Sequence, residues 1–213
     1  MFGSNQLSYV LASGSPRRRE LMSVLLSAIG HSGEFEIAEP RSEIPIDSSV
    51  EVDDAVCGVA LAKAKDAAAQ INKPDALIIA ADTAVVLGDA VVLGKPRDKE
   101  EAVQMLKLLS GRTHAVVSGV AFVQDKREHT FCEWTEVKFR KLSDSEIVRY
   151  VTSGDAYDKA GAYGIQGGAA IFAESISGDY YNVVGLPLCR LAVEIAGFAD
   201  ERQQSILEKL YNA

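Results

Sequence analysis

Three consecutive arginines follow a serine and a proline near the start of the chain, in Ser15-Pro16-Arg17-Arg18-Arg19. Serine is a favourable N-cap and proline a favourable first helical residue, so a helix is predicted to begin here. The positive end of the helix dipole disfavours cations in that first turn. A bound anion, held by backbone N–H groups, serine hydroxyls and guanidinium groups, would remove this conflict. Three solvated arginines at a helix start are the alternative.

Two further charged residues interrupt apolar patterns. Lys63 falls on the apolar stripe of a predicted helix, where it either reaches solvent or points into a cleft toward a negative charge. Asp82 follows the apolar run of residues 77–81, which is typical of a buried strand. A carboxylate at such a strand end is well placed to bind Mg²⁺ or act as a general base; a cap or turn aspartate is the alternative.

Glycines flank two other candidates, Lys95 and Gln166. Lys95 would contact phosphate or be solvated, and it does not belong to a Walker A motif because that pattern is absent. Gln166 carries a primary amide that would read the edge of a base. His31, His114 and His129 are isolated in the sequence, and we assign them no catalytic role.

Hydrophobic periodicity predicts alternating helices and strands in the first half, followed by clustered strands. The predicted strands cover residues 9–12, 35–38, 76–81, 83–87, 90–93, 113–124, 129–141 and 169–174. The predicted helices cover residues 17–26, 52–70, 188–196 and 200–211, with two more capped by Asp98 with Glu101 and by Ser143 with Glu146. This order favours the α/β class with a mixed β-sheet flanked by helices. No linker divides the chain, so residues 1–213 are predicted to form one domain.

Composition limits the classes of function. The 213 residues are 47% hydrophobic and 24% charged, and the net charge of -8 argues against a nucleic-acid binder. No apolar run is long enough to predict a membrane span. The first residues lack the positively charged start that is typical of a signal peptide. Cys57, Cys132 and Cys189 are scattered and form no metal-binding pattern, so we expect reduced thiols in a cytoplasmic protein.

Several blocks together resemble the Maf family. They are LASGSPRRREL at 11–21, ADTAVVLGDAVVLGK at 81–95, MLKLLSGRTHAVVSG at 105–119, DKAGAYGIQG at 158–167 and GDYYNVVGLP at 178–187. Each block is short, but their order and spacing across residues 9–191 make the combination specific. The resemblance implies a mixed α/β fold with two lobes and a nucleotide cleft between them. It also implies a nucleotide pyrophosphatase that needs Mg²⁺, or Mn²⁺ or Co²⁺ in its place.

The resemblance also implies roles for individual residues. The phosphates would be held by Ser13, Ser15, Arg17 and Arg18, with positive charge added by Lys63 and Lys95. Asp82 would bind the metal or activate water, and Glu43 is the candidate for a second acidic metal ligand.

Three features match the branch of the family that acts on dTTP and UTP: the pair Arg17-Arg18, the pair Asp82-Thr83, and Gln166. Thr83 and Gln166 would lie near the base or the sugar. Ser118 stands where threonine is common in the family, and Ala80 where glycine is common. The resemblance makes a homodimer a reasonable expectation.

The predicted reaction is hydrolysis of a nucleoside triphosphate, most favourably dTTP or UTP, to the monophosphate and pyrophosphate. The alternative is a regulatory protein of cell division that binds nucleotides without turning them over. A nucleic-acid module built on Arg17–Arg19 is disfavoured by the acidic total. We therefore expect no nucleic-acid or membrane partner.

Overall fold

The computed structural model describes residues 7–42, 44–46, 49–88 and 91–198. Within these residues a seven-stranded sheet has the order β2-β1-β3-β5-β6-β7, and β4 pairs with β3 off this path. The strands are β1 (Tyr9–Leu11), β2 (Glu36–Ile37), β3 (Leu77–Leu87), β4 (Val91–Leu93), β5 (Thr113–Gln124), β6 (Arg127–Phe139) and β7 (Ala173–Ser177). The helices are α1 (Pro16–Ala28), α2 (Val52–Ile71), α3 (Lys99–Leu109), α4 (Asp144–Thr152), α5 (Tyr180–Val184) and α6 (Leu188–Phe198).

The sheet is mixed. β1 runs parallel to both β2 and β3, whereas β3, β5, β6 and β7 pair antiparallel with one another in sequence. Helices cover both faces, so the predicted α/β class with a mixed sheet is confirmed. The prediction of one domain over residues 1–213 stays a prediction.

The two faces of the sheet carry different cores. One face packs large aliphatic and aromatic side chains of β3 and β5, such as Ile79 and Phe122, against α1, α3, α4 and α6. The other face packs α2 through small residues, among them Ala60, Ala64 and Ala67. Small side chains let the α2 backbone approach the sheet closely, and this places α2 residues near the middle of β3.

Side-chain hydrogen bonds confirm the predicted starts of three helices. Ser15 caps α1 with Pro16 as its first residue, and Ser143 with Glu146 forms a complete capping box on α4. Asp98 caps α3 by accepting a hydrogen bond from the backbone N–H of Glu101 at 2.8 Å. The Glu101 carboxylate accepts from the backbone N–H of Arg97 at 2.7 Å, one residue earlier than a capping box requires.

Two predicted strand assignments are wrong. Asp82 does not end a strand, because β3 continues to Leu87 and pairs with β5 without a break from Ile78 to Val86. Residues 169–174 are not one strand, because Gly168–Ile171 forms a 3₁₀ turn and β7 pairs with β6 only from Ala173. The predicted terminal helix at 200–211 lies outside the described residues. No described helix is long and apolar enough to cross a membrane.

Candidate functional site

A cleft of about 650 Å³ opens where the parallel part of the sheet ends. β1 stops at Leu11, opposite Ile79 of β3, while β3 runs on beside β5. The segment after β1 therefore lies against β3 residues that have no strand on that side. Ligands of open α/β sheets bind at such a point, beyond the carboxyl ends of parallel strands.

Alternation along β3 sends two neighbouring residues to opposite faces of the sheet, and both border the cleft. The Asp82 carboxylate faces α2, where its Oδ1 accepts a hydrogen bond from Lys63 Nζ at 2.5 Å. The Thr83 hydroxyl faces α1, where it accepts a hydrogen bond from Arg18 Nη2 at 3.0 Å. Because no described strand pairs with Asp82 and Thr83 on the β1 side of β3, side chains from both faces of the sheet meet in one cleft.

Arg18 is anchored at two points. Its Nε donates to the carbonyl oxygen of Gly185 at 2.8 Å, and its Nη2 donates to Thr83. Burial lowers the pKa of Arg18, the nearby Asp82 carboxylate raises it, and Arg17 lowers it. Five N–H groups belong to a guanidinium, and these two bonds use two of them. The remaining donors are available to an anion in the cleft.

Lys63 meets a carboxylate rather than extending to solvent. Its side chain and that of Asp82 are each 17% exposed, so the ion pair is largely withdrawn from water. Burial lowers the pKa of Lys63, while the Asp82 charge raises it and the charges of Arg18 and Lys95 lower it. Lys63, Arg18 and Lys95 therefore lie near the Asp82 carboxylate, and this local excess of positive charge suits a polyanion.

The loop between β1 and α1 is organised by its two serines. The buried Ser13 hydroxyl accepts from the backbone N–H of Ser15 at 3.2 Å, and Ser15 accepts from the backbone N–H of Arg18 at 3.5 Å. The three arginines then separate. Arg17 pairs with Asp158 at 3.1 Å across the cleft, whereas Arg19 pairs with Glu39 at 2.5 Å.

The glycine-rich segment forms the opposite wall of the cleft. Tyr150 of α4 supports it, because the Tyr150 hydroxyl accepts from the backbone N–H of Gly164 at 3.0 Å and donates to Asp155 Oδ2 at 3.0 Å. A Cβ on Gly164 would lie 2.5 Å from Lys159 Cε. The glycine lets this turn rest directly on Lys159, and the turn carries the exposed Gln166 to the cleft.

Nine of the ten predicted site residues line this cleft: Ser13, Ser15, Arg17, Arg18, Lys63, Asp82, Thr83, Lys95 and Gln166. Glu43 lies outside the described residues. Asp158, Lys159 and Tyr163 also border the cleft and were not singled out from the sequence. All three belong to the block DKAGAYGIQG, so the family resemblance is the sequence signal that points to them.

The side chains of the cleft limit how a divalent metal could be held there. In the described part of the chain, no group of three or more His, Cys, Asp or Glu side chains is placed to hold a metal ion. Mg²⁺ is commonly held by one or two carboxylates together with substrate phosphates and water. Asp82 therefore fits a metal that enters with a polyphosphate, rather than one held in a preformed protein cage.

Comparison with known proteins places the chain among relatives over most of its length. Residues 8–198 match the family model described as Maf-like protein. A dTTP/UTP pyrophosphatase of Bacillus cereus strain G9842 is 46% identical over 189 residues, which cover 89% of this chain and 94% of that protein. A dTTP/UTP pyrophosphatase of Bacillus cytotoxicus is 44% identical over 190 residues, covering 89% and 95% respectively.

A solved structure, the nucleoside-triphosphatase (dITP/XTP pyrophosphatase) of Mycobacterium abscessus, covers 64% of this chain and 74% of its own. Its 16% identity and TM-score of 0.41 are too low to bear on the site. The family match and the two relatives are far stronger and span the loop after β1, β3 and the glycine-rich wall. The chain belongs to the Maf family.

Proposed function

We propose that this protein hydrolyses nucleoside triphosphates, dTTP and UTP foremost, to the monophosphate and pyrophosphate. The observation that carries the proposal is the placement of two cations against neighbouring residues of β3, beside the end of β1: Lys63 bonds the Asp82 carboxylate, and Arg18 bonds the Thr83 hydroxyl. The relatives named dTTP/UTP pyrophosphatase support the choice of substrate.

In the proposed reaction, a water oxygen bonds to the phosphorus nearest the sugar, and the bond from that phosphorus to its bridging oxygen breaks. Pyrophosphate leaves with the bridging oxygen. Asp82 accepts the proton that the water loses. Arg18 and Lys63 stabilise the charge on the transferred group and on the leaving oxygens, because they are fixed before the substrate arrives.

A divalent cation, Mg²⁺ or alternatively Mn²⁺ or Co²⁺, would neutralise phosphate charge when bound. Asp82 is the ligand proposed for it, and Glu43 stays the candidate for a second carboxylate. Arg17 and the loop serines, Ser13 and Ser15, would bind the outer phosphates, with Lys95 beside them. Thr83 and Gln166 are proposed to contact the base or the sugar.

The test is a panel of nucleoside triphosphates incubated with Mg²⁺, in which pyrophosphate and monophosphate are measured together. We expect equimolar release of both from dTTP and UTP and little from purine nucleotides. Release of inorganic phosphate with a diphosphate would place cleavage at the wrong bond. Binding without pyrophosphate release, with Mn²⁺ and Co²⁺ also tried, would favour the regulatory protein without turnover.

Cytoplasmic location, which the scattered cysteines favour, and homodimer formation, which the family resemblance favours, are further parts of the same proposal. Light scattering coupled to gel filtration measures the mass in solution directly. A mass of one chain at the concentration used for assays would contradict the homodimer while leaving the reaction unaffected.

A further inference from the structure

A series of hydrogen bonds runs from the cleft into the core and ends at two residues, Ser118 and Asn182, to which the proposed reaction gives no role. Arg18 Nη2 donates to Thr83 Oγ1 at 3.0 Å, and Thr83 Oγ1 lies 2.9 Å from Ser118 Oγ. Ser118 is the cross-strand partner of Thr83 on β5 and is fully buried. Its hydroxyl donates to the backbone carbonyl of Asn182 at 3.3 Å.

The series ends on a rigid support. Asn182 is fully buried, and its side-chain Nδ2 lies 3.0 Å from the carbonyl oxygens of Val116 and Glu133 and from Thr135 Oγ1. These contacts tie α5 to both β5 and β6. The Asn182 carbonyl is therefore a fixed acceptor at the inner end of the series.

The groups at the two ends of this hydrogen-bond series determine which way its protons point. A guanidinium only donates hydrogen bonds and a carbonyl only accepts them. Since Ser118 donates its proton to Asn182, the Ser118 oxygen must accept the proton of Thr83. The reverse orientation would place the Ser118 and Asn182 oxygens 3.3 Å apart with no proton between them, so their lone pairs would repel. The Asn182 carbonyl also accepts from the backbone N–H of Gly185 at 3.0 Å, so the cost of that orientation falls on Ser118, which would lose one of its two hydrogen bonds.

We infer that Ser118 is a positioning residue that fixes Thr83 as a hydrogen-bond acceptor toward the cleft. The Thr83 proton points inward, so the hydroxyl offers a ligand only its remaining lone pair. The matching ligand group is a donor, which a nucleotide supplies either as the imino N–H of a uracil or thymine ring or as a sugar hydroxyl. This inference rests on the proposed function and refines its substrate class.

The imino source would explain a preference between pyrimidines. Uracil and thymine carry a hydrogen on N3, whereas N3 of cytosine is an acceptor. A fixed acceptor on the protein pairs with the N3–H of uracil or thymine, whereas it meets the N3 lone pair of cytosine. Sites whose polar groups are left unpaired reject the wrong substrate strongly, so the orientation of one hydroxyl is enough to discriminate.

The test compares Ser118→Ala, which removes the acceptor of the Thr83 proton, with Ser118→Thr, which keeps a hydroxyl there. Ser110→Ala is the matched control, because Ser110 also carries a bridging hydroxyl, to Leu142, but lies away from the cleft. If the imino group is the donor, we expect the ratio of kcat/KM for UTP over CTP to fall about tenfold in Ser118→Ala, the worth of one hydrogen bond. If a sugar hydroxyl is the donor, the ratio for UTP over its deoxy analogue falls by that amount instead. Ser118→Thr and Ser110→Ala should keep the parental ratio.

Analogues separate the two sources of the donor. If Ser118→Ala loses the preference for UTP over N3-methyl-UTP, the imino group is the donor. If Ser118→Ala loses the preference for UTP over its 2′-deoxy or 3′-deoxy analogue, a sugar hydroxyl is the donor. Equal losses for every nucleotide in Ser118→Ala, as a purely structural role would give, overturn the inference, and so does the same loss in Ser118→Thr.

Failure of the proposed function gives a different result from failure of the inference. A parent protein that releases no pyrophosphate from any nucleotide refutes the reaction. The same ratios are then measured as dissociation constants by calorimetry. Unchanged ratios in Ser118→Ala refute the inference by either measurement.

Discussion

Asp82 has two roles in the cleft. It is the carboxylate proposed to take a proton from water, and it is also the partner of a largely buried lysine. Lys63 holds the carboxylate in one position, since a 2.5 Å hydrogen bond joins Nζ to Oδ1. The other carboxylate oxygen is the atom proposed to face water or a metal.

Asp82→Asn keeps the shape of this side chain and removes its charge and basicity. We expect kcat to fall by about 10²-fold to 10⁴-fold, the usual contribution of a positioned base. Asp98→Asn is the matched control, since asparagine also caps helices and Asp98 lies outside the cleft. Steady-state kinetics on UTP check the result, and an Asp82→Asn protein with parental kcat would remove the residue from the mechanism.

Asp158 competes with phosphate for Arg17 in the proposed site. The pair spans the cleft at 3.1 Å, and the Asp158 side chain is 59% exposed. Exposed ion pairs contribute roughly 0.2–1 kcal/mol, so Asp158→Asn should lower KM for UTP by a factor of up to about five, with kcat unchanged. Asp144→Asn disrupts the Lys107 pair of the same length away from the cleft and should leave KM as it is. A higher KM in Asp158→Asn would mean that Asp158 orients Arg17 instead.

At the scale of elements, α2 packs closely on β5, and this contact bears on the site. A Cβ on Gly119 of β5 would lie 2.4 Å from the backbone carbon of Val56 in α2. This contact is with backbone, which cannot rotate away. The glycine thereby sets how near α2, and with it Lys63, lies to β3.

Gly119→Ala should push α2 outward and lower the free energy of unfolding by about 1–3 kcal/mol, the cost of overpacking. The same displacement would separate Lys63 from Asp82 and reduce turnover. Gly58→Ala is the control within α2, because Gly58 is exposed and an added Cβ meets nothing within 4 Å. It should stabilise the protein by about 0.5–1 kcal/mol. Urea unfolding separates the two variants, and equal effects would refute the packing argument.

The sequence was sufficient for features that depend on neighbours along the chain. Ser15 with Pro16 and Ser143 with Glu146 were predicted as helix starts because capping is a local interaction. The position of Asp82 was misread, because β3 extends through it only by pairing with β5, which follows much later in the sequence. Residues joined across the fold, such as Ser118 and Asn182, had no local pattern to reveal them.

At the scale of the whole molecule, the core behind the site contains a buried titratable group, His114. It lies on β5, 3% exposed, with its ring edge-on to Phe139 and Tyr163. Nε2 is 2.8 Å from the hydroxyl of Tyr163, a residue that lines the cleft. Nδ1 has no hydrogen-bond partner within the ranges that the structure describes. Protonation of this ring would place a charge in the apolar core behind the cleft.

Burial lowers the pKa of His114 from 6.5 to about 4, so the folded protein keeps the ring neutral while the unfolded chain protonates it below pH 6.5. Between these two values the unfolded state binds more protons, and stability therefore falls as the pH is lowered. The loss from this one group between pH 7.5 and pH 5 should be about 2 kcal/mol. His114→Gln cannot titrate but retains a group able to bond Tyr163. Urea unfolding of both proteins at the two pH values should show a smaller acid loss in the variant by that amount, since the carboxylates contribute equally to both. Identical losses would mean that His114 is accessible to protons in the folded state, and that the core behind the cleft opens at pH 5.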